Sequence, residues 1–255
     1  MDSTSIQQPD DLRIGLGEPH RGTVGCRASI DWVSKAQDLD ARGWALLPKL
    51  LTRDQCRQMS ELYGRGTGFR SRVVMSRHGF GRGEYQYFAN PLPDLVQTLR
   101  TNLYPRLVPI ANAWHERMGL EVRFPPIHSE FIARCHHAGQ SKPTPLLLQY
   151  GAGDYNCLHQ DLYGEHVFPL QIAVLLSEPA EDFEGGEFVL AEQRPRMQSR
   201  VEVVPLTRGD GVVFAVNSRP VRGTRGDYRV LLRHGVSTLR KGRRHTLGII
   251  FHDAK

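Results

Sequence analysis

The sequence predicts a mainly β fold with supporting helices, of the β-sandwich or jelly-roll class. After Pro143, short apolar runs alternate with Gly, Asp and Pro; they cover 146–151, 168–177, 187–191, 211–216, 229–234 and 245–251. Short strands separated by turn residues are typical of this class. Before Pro143 the apolar spacing is mostly helical. We therefore expect a helical support over 29–142 and a jelly-roll core over 143–255.

A helix, a strand and a second helix are predicted first along the chain. Trp32 to Asp40 has the spacing of a short helix, and 43–48 reads as a strand. Thr52 and Gln55 stand three positions apart, as in a capping box, in which each residue satisfies a backbone N–H group of the other. This pair predicts that a second helix begins immediately after Thr52.

A longer helix is predicted next. Apolar residues recur every three or four positions from Leu95 to Met118 and stop at Gly119. Pro105 and Pro109 fall inside this run. Because proline lacks the N–H group that a helix interior requires, we expect the two prolines to break or kink the helix.

Length and composition limit the class of protein. The 255 residues are enough for one domain with a sizeable core, which we expect over 29–255. Residues 1–28, rich in Gly, Ser, Gln and Pro, are predicted to be a flexible arm. The four cysteines have no C-x-x-C spacing and the N-terminus lacks a signal-peptide pattern, which favours the cytoplasm.

The charge and hydropathy patterns restrict the partners. No run approaches the roughly 18 apolar residues that a membrane-spanning helix needs, so no membrane partner is expected. The net charge is +6, and the basic excess is mostly arginine. Such a balance suits a polyanion such as nucleic acid, although basic enzymes that act on small acids are also common.

The stretch NCLHQDLYG, at 156–164, contains the pattern H-x-D. On a strand or its extension, His159 and Asp161 point to the same side and can converge on one ion. His234, at the end of a predicted strand, can supply a third ligand. Two histidines and a carboxylate on one face of an ion form the facial triad of non-haem Fe(II) oxygenases. The alternative is that the H-x-D pattern occurs by chance and that His234 is a histidine of the core. This would give the same spacing.

Two polar residues follow on the last predicted strand. Arg244 lies ten residues after His234, and Thr246 two further on. On a strand, Arg244 and Thr246 share a face, so that a guanidinium and a hydroxyl can together bind a carboxylate. A keto-acid cosubstrate needs such a partner at its distal end.

Together these motifs resemble those of the 2-oxoglutarate- and Fe(II)-dependent dioxygenases: H-x-D, a distal histidine, and an arginine about ten residues beyond it. The run QYGAGDYNCLHQD, at 149–161, is similar to the segment that leads into the metal site of AlkB-type nucleic-acid dealkylases. Tyr150 stands where the tyrosine of that family contacts 2-oxoglutarate. The resemblance implies a double-stranded β-helix, which is a form of jelly roll.

The closing run at 233–254 and the GGEF turn at 185–188 resemble most closely a bacterial branch of oxygenases for oxidative demethylation of damaged DNA. The resemblance covers roughly residues 80–255. One position departs from it: AlkB-type proteins carry a second arginine six residues after the first, where this chain has Ile250. Cosubstrate and substrate contacts therefore cannot be copied from AlkB as a whole.

The resemblance implies a set of cofactors and roles. The H-x-D pair and the distal histidine would bind Fe(II), and Arg244, Thr246 and Tyr150 would contact 2-oxoglutarate. With O2, such enzymes hydroxylate a C–H bond and form succinate and CO2. If the carbon is an N-methyl group on a base, the hydroxymethyl product releases formaldehyde and the free base.

Other histidines and cysteines offer weaker alternatives. His128 and Glu130 form an H-x-E, and Cys135, His136 and His137 form a soft-ligand cluster; both lack the partner residues of a complete site. His245 should point to the opposite face from Arg244, as a packing or surface residue. The adjacent His252 and Asp253, near the C-terminus, are expected to be solvated.

A Gly-rich stretch at 64–90 interleaves arginines with aromatic residues. Arg77, Arg82 and Tyr85 are the substrate candidates in it, because arginine binds phosphate and aromatic rings stack on splayed bases. The alternative is a solubilising loop region whose aromatic residues pack against the barrel.

Three functions stay open at this level. The leading one is oxidative demethylation of alkylated nucleic acid. The second is hydroxylation of a protein side chain or a small metabolite with the same cofactors. The third is a non-catalytic jelly-roll binding module, which the complete triad together with Arg244 and Thr246 disfavours.

Overall fold

The computed structural model describes residues 30–255, so the arm predicted at 1–28 lies outside the described residues. The helices are α1 (Trp32–Arg42), α2 (Arg53–Arg65), α3 (Asp94–Arg117) and α4 (His128–His137), with a short 3-10 helix at Met75–Arg77. The strands are β1 (Trp44–Leu47), β2 (Phe69–Val74), β3 (Gly81–Arg82), β4 (Glu84–Phe88), β5 (Leu146–Gly151), β6 (Tyr155–His159), β7 (Leu170–Leu175), β8 (Phe183–Gly185), β9 (Phe188–Gln193), β10 (Arg200–Val204), β11 (Gly211–Ala215), β12 (Ser218–Gly223), β13 (Gly226–Val236) and β14 (Leu239–Ile249).

Two antiparallel sheets form the core, which confirms the predicted jelly-roll class. The large sheet has the order β1-β11-β7-β14-β5-β4-β2, with β8 beside β14. The small sheet has the order β10-β9-β13-β6-β3, with β12 beside β13. Neither sheet closes into a barrel, and residues of both sheets share one buried cluster between them.

The large sheet is covered on both faces at its centre, where helices pack on the outer side of β7. Along β7, Ile172 and Val174 join the cluster that includes α3 and α4, whereas Ala173 and Leu175 join the cluster between the sheets. The alternation follows from the period of two residues in a strand. A sheet covered on both faces is expected to contain nearly continuous apolar runs, and β7 is apolar except for Gln171.

The region before Pro143 is less helical than the sequence predicts. It contributes β1, β2 and β4 to the large sheet and β3 to the small sheet. The Gly-rich stretch at 64–90 therefore contains paired strands: β4 lies between β2 and β5, with Tyr85 opposite Leu148. Its glycines lie between short strands. They interrupt the alternation of residues from which strands are predicted.

The predicted helix starts are confirmed. Thr52 caps α2 through a complete capping box: its hydroxyl accepts from the N–H of Gln55 at 3.2 Å, and the Gln55 side chain accepts from the N–H of Thr52 at 2.9 Å. Asp31 caps α1 without a reciprocal bond: its carboxylate accepts from the N–H groups of Val33 and Ser34. After α1, Gly43 adopts a left-handed conformation, which ends the helix and begins β1.

Of the predicted break or kink in the long helix, the break is wrong. α3 runs from Asp94 to Arg117 with Pro105 and Pro109 inside it. Both prolines are exposed. Each proline removes a hydrogen bond to the carbonyl four residues earlier, and on the solvent side water can satisfy that carbonyl.

The prediction that His252 and Asp253 are solvated is also wrong. Both are buried, because the C-terminal segment packs under α3 and α4. Asp253 accepts from Arg100 at 2.7 Å and from His136 at 2.9 Å. His252 accepts from the backbone N–H of Phe168 at 3.3 Å. No helix within residues 30–255 is long and apolar enough to cross a membrane.

The ion pair of Arg100 and Asp253 should dominate the stability of this segment. Replacing Asp253 with Ala leaves a buried guanidinium without its partner, so we expect the free energy of unfolding to fall by about 3 kcal/mol in urea titration. The exposed pair of Arg57 and Asp54 is the control, and Asp54→Ala should cost at most about 0.5 kcal/mol. Equal losses in the two variants would contradict this assignment.

Candidate active site

A β-bulge in β6 sets the direction of the H-x-D motif. In the register between β13 and β6, His234 lies opposite His159 and Val236 lies opposite Asn156. Between these pairs β6 has two residues while β13 has one, Gly235. A bulge of this kind changes the side of the sheet to which the neighbouring side chains point. Here both Asn156 and His159 line the cavity between the sheets.

The three predicted ligands converge. Nε2 of His159 lies 3.6 Å from Oδ1 of Asp161, and Nε2 of His234 lies 3.3 Å from Oδ2. One donor atom from each residue falls within 4.8 Å of the others. In the part of the chain that the structure describes, no other trio of His, Cys, Asp or Glu residues meets this condition. The arrangement fits a facial triad.

Two glutamines hold the backbone around the motif. The side chain of Gln160, between the two ligands, points away from the metal site and donates to the Asn217 side chain and to the Leu232 carbonyl, both at 2.8 Å. Gln140, fully buried, donates to the carbonyl of Tyr163 at 3.0 Å. These bonds tie the segment that carries the ligands to β13 and to the end of α4.

The protonation states suit metal binding. Burial by itself raises the pKa of the Asp161 carboxyl, but the hydrogen bond and charge of His234, then His159 and the Tyr163 hydroxyl, hold that pKa well below its ordinary value. Burial, followed by the charge of His159, lowers the pKa of His234. At neutral pH the site therefore offers a carboxylate and a neutral imidazole, the forms that bind a metal.

Arg244 is a buried cation without an anionic partner. Its side chain is 1% exposed, and it forms no ion pair with any described residue. Nη1 donates to the Thr246 hydroxyl at 2.6 Å, while Nε is buried and has no hydrogen-bond partner within residues 30–255. Burial lowers the pKa of Arg244 to about 10, with Tyr150 and Glu187 opposing, so the group stays charged at neutral pH. A buried unpaired charge is costly, and a ligand carboxylate would satisfy it.

The remaining predicted cosubstrate residues lie beside this guanidinium. Tyr150 is opposite Arg244 in the register between β5 and β14, and its ring centre lies 5.7 Å from the guanidinium carbon. Tyr150 is fully buried, and burial raises the pKa of its hydroxyl to about 12, so it is a hydrogen-bond donor at neutral pH. Tyr150, Arg244 and Thr246 all line the cavity that contains the triad.

That cavity has a volume of about 360 Å³ and is lined mostly by apolar side chains. Ile250, at the position where AlkB-type proteins carry a second arginine, is part of the wall. His245 faces the other side of the sheet, where its ring meets Tyr63 at 6.0 Å, so the packing role is confirmed. His128 bonds the carbonyl of Phe251 at 2.8 Å and takes no part in a metal cluster within the described residues.

The three predicted substrate residues do not all lie at the cavity. Tyr85 lines the cavity from β4. Arg82, on β3 next to β6, is exposed and lies 4.0 Å from Asp154, and Arg77 is exposed in the 3-10 helix; neither lines the cavity. Phe80, between them in sequence, does line it. The roles of these residues stay predictions.

Sequence reasoning missed two residues that contact the triad. The Tyr163 hydroxyl donates to Oδ1 of Asp161 at 2.7 Å, and the Gln171 amide donates to Oδ2 at 2.8 Å. Nothing in the sequence pointed to Tyr163 as a contact of the triad, apart from its position two residues after Asp161. The sequence did give a signal for Gln171, because it is the one polar residue in the apolar run LQIAVL of β7.

Comparison with known proteins identifies the family. A family model described as "oxygenase, catalysing oxidative methylation of damaged DNA" matches residues 83–254, more than half of the chain. The chain belongs to this oxygenase family. Two uncharacterized proteins of Mycobacterium tuberculosis, from strains CDC 1551 and H37Rv, are each 50% identical over 167 residues, which cover 66% of this chain and 72% of the relative.

Solved structures support the same fold. A 2OG-Fe(II) oxygenase family oxidoreductase from Burkholderia pseudomallei aligns with a TM-score of 0.53 at 15% identity, over 89% of this chain and 94% of that one. The epimerase SnoN from nogalamycin biosynthesis aligns with a TM-score of 0.51 at 15% identity, over 85% and 81%. At such identities the likeness concerns the fold alone.

The oxygenase family, together with the triad and the unpaired arginine, confirms the enzyme class expected from the sequence over the non-catalytic module. It is an oxygenase, and its residues fit Fe(II) and 2-oxoglutarate as cofactors. The donor set fits Fe(II), and the buried guanidinium fits the distal carboxylate of 2-oxoglutarate.

The bulge opposite Gly235 predicts a sensitive position. A Cβ atom at Gly235 would lie 2.7 Å from the backbone oxygen of Asn156 and 3.3 Å from backbone atoms of Cys157, so β6 must shift. We expect Gly235→Ala to weaken Mn(II) binding, measured by calorimetry, by about 10-fold, because the shift moves His159. Gly151→Ala is the control, since its nearest new contact is 3.7 Å; equal effects would contradict the role of the bulge.

Arg244→Met should separate cosubstrate binding from metal binding. Loss of the charge-assisted hydrogen bonds to a carboxylate should weaken 2-oxoglutarate binding to the Mn(II)-loaded protein by about 100-fold. Mn(II) binding and the free energy of unfolding of the ligand-free protein should not fall, because an unpaired buried charge is removed. Unchanged 2-oxoglutarate affinity in calorimetry would refute the assignment.

Proposed function

We propose that this oxygenase removes methyl groups from alkylated nucleic-acid bases. In this proposal His159, Asp161 and His234 hold the iron. Arg244 and Thr246, with Tyr150 beside them, bind the distal carboxylate of 2-oxoglutarate. The observation that carries the substrate class is the cavity: it is small, apolar and open to the surface beside exposed aromatic rings.

The volume of the cavity favours a small flat group. About 360 Å³ is near the low end for small-molecule sites, and the cosubstrate occupies part of it. The rest suits a single planar base better than a polypeptide segment with its polar backbone. Enzymes that act on a base take it out of the stack into a pocket of this kind.

The mouth of the cavity supports the same substrate. Phe80 lines the cavity and is 48% exposed, and its ring stacks on His78 with centres 5.3 Å apart. Exposed aromatic faces are stacking platforms for bases. Arg77 and Arg82, both exposed, flank Phe80 in sequence and can contact phosphates. The family description names damaged DNA, which agrees with this choice.

The chain contributes binding, orientation and exclusion of water. Fe(II) with 2-oxoglutarate and O2 supplies the oxidation of a C–H bond, and the cosubstrate leaves as succinate and CO2. Arg244 neutralises the distal carboxylate at the buried end of the cavity. Apolar walls that include Leu148 and Phe214 keep water from the reacting carbon. An N-methyl group gains one oxygen atom to become N-hydroxymethyl, which then loses formaldehyde and returns the N–H of the base.

Succinate and formaldehyde formation test the proposal. Fe(II)-loaded protein with 2-oxoglutarate and O2 is given methylated single-stranded DNA, the unmethylated oligonucleotide, or no substrate. We expect succinate above the background only with the methylated strand, and one formaldehyde for each additional succinate. His159→Ala should abolish the signal, whereas His137→Ala, at an exposed histidine of α4, should retain it.

The same slow rate of succinate formation in all three reactions would refute nucleic acid as the substrate and leave the oxygenase chemistry intact. Hydroxylation of a protein side chain or a small metabolite would then become the leading function. Full activity of His159→Ala would refute the metal ligands themselves.

A further inference from the structure

Gln171 is a buried amide in a strand that is otherwise apolar. All six residues of β7 are buried, and Gln171 is 4% exposed. A buried amide costs free energy unless its hydrogen bonds compensate. An apolar residue would fit the pattern of β7 equally well, so the contacts of the Gln171 side chain indicate why an amide is present.

The amide nitrogen of Gln171 contacts two metal ligands. Nε2 lies 2.8 Å from Oδ2 of Asp161 and 3.2 Å from Nε2 of His234. Since a carboxylate only accepts hydrogen bonds, the NH2 group must face Asp161, and it has one hydrogen for each partner. Gln171 belongs to the large sheet and His234 to the small sheet, so the amide bridges the cavity at the metal site.

Apart from Gln171, the polar contact of the His234 ring within the described residues is with Oδ2 of Asp161, 3.3 Å from its Nε2. A metal-binding histidine normally donates from its second nitrogen to a carbonyl or carboxylate, which fixes the orientation of the ring. His159 follows this rule, because its Nδ1 lies 2.8 Å from the Cys157 carbonyl. The Nδ1 of His234 is buried and has no partner among residues 30–255. The ring also packs on His159 and Phe214, at 4.2 and 4.7 Å between ring centres, and the Gln171 amide is its hydrogen-bond donor among the described residues.

We propose that Gln171 is a positioning residue for the metal: its amide holds Asp161 and His234 in their binding orientation before the ion arrives. Each oxygen of Asp161 has two lone pairs, so the bonds from Gln171 and Tyr163 leave one on each oxygen for the ion. On metal binding His234 exchanges the amide hydrogen for the ion, while Asp161 keeps its bond to Gln171. This inference rests on the metal ligands of the proposed function and is independent of the substrate.

Mn(II) titration of Gln171→Leu tests the role. Without 2-oxoglutarate or DNA, the variant should bind Mn(II) about 10-fold more weakly in calorimetry, in the range typical for loss of a residue that orients metal ligands. The manganese EPR spectrum of the bound ion should broaden as the ligands lose their fixed orientation. The thermal unfolding midpoint of the metal-free variant should not fall, because leucine suits the apolar surroundings of β7.

Gln86→Leu is the matched control. Gln86 is a buried glutamine of β4 in the same large sheet, and its amide donates to the Tyr63 carbonyl at 3.1 Å, away from the metal ligands. This variant should lower the unfolding midpoint and leave the Mn(II) affinity unchanged. If Gln171 only tied the two sheets together, Gln171→Leu would behave in the same way, and that result would overturn the proposal.

Two further variants make the result decisive. If the leucine variant does not fold, Gln171→Met keeps the length of the side chain and removes the donor, and undiminished Mn(II) binding by it overturns the proposal. His159→Ala tests the metal ligands themselves. If His159→Ala also binds Mn(II) undiminished, the metal assignment fails together with the proposal. If it loses binding while the Gln171 variants keep it, the role of Gln171 alone is refuted.

Discussion

The pairing of β13 with a bulged β6 is the constraint on which the site depends. In a regular ladder, residues three apart on β6 would point to opposite sides of the sheet. With the bulge, Asn156 and His159 both face the cavity, and His159 meets His234 across the ladder. The bulge in turn needs a residue without a side chain opposite it, which is Gly235.

The two sheets supply different parts of the chemistry. The small sheet and the segment after β6 provide the three candidate metal ligands, and the large sheet provides Arg244, Thr246 and Tyr150. The cavity between them is mostly apolar, so a buried charge in it is costly unless a ligand satisfies it. The unpaired guanidinium of Arg244 is such a group, and a dicarboxylate that also binds iron would satisfy it.

Much of the site was predictable because its motifs depend on local spacing. His159 and Asp161 share a side because they are two residues apart at the end of a strand, and Arg244 and Thr246 do so within β14. Non-local features were not predictable. The burial of Asp253 depends on Arg100 of α3 and His136 of α4, and no spacing near the C-terminus shows that these helices cover it.

The sequence by itself determined the jelly-roll class, the capped helices, the candidate ligands and the resemblance to 2-oxoglutarate oxygenases, because each follows from period, capping or motif spacing along one segment. Only the tertiary structure decided which groups are left unpaired and which groups meet. The contact of Gln171 with Asp161 and His234 joins two sheets. The isolation of Arg244 results from burial, and burial depends on every element packed around a residue rather than on its neighbours in sequence.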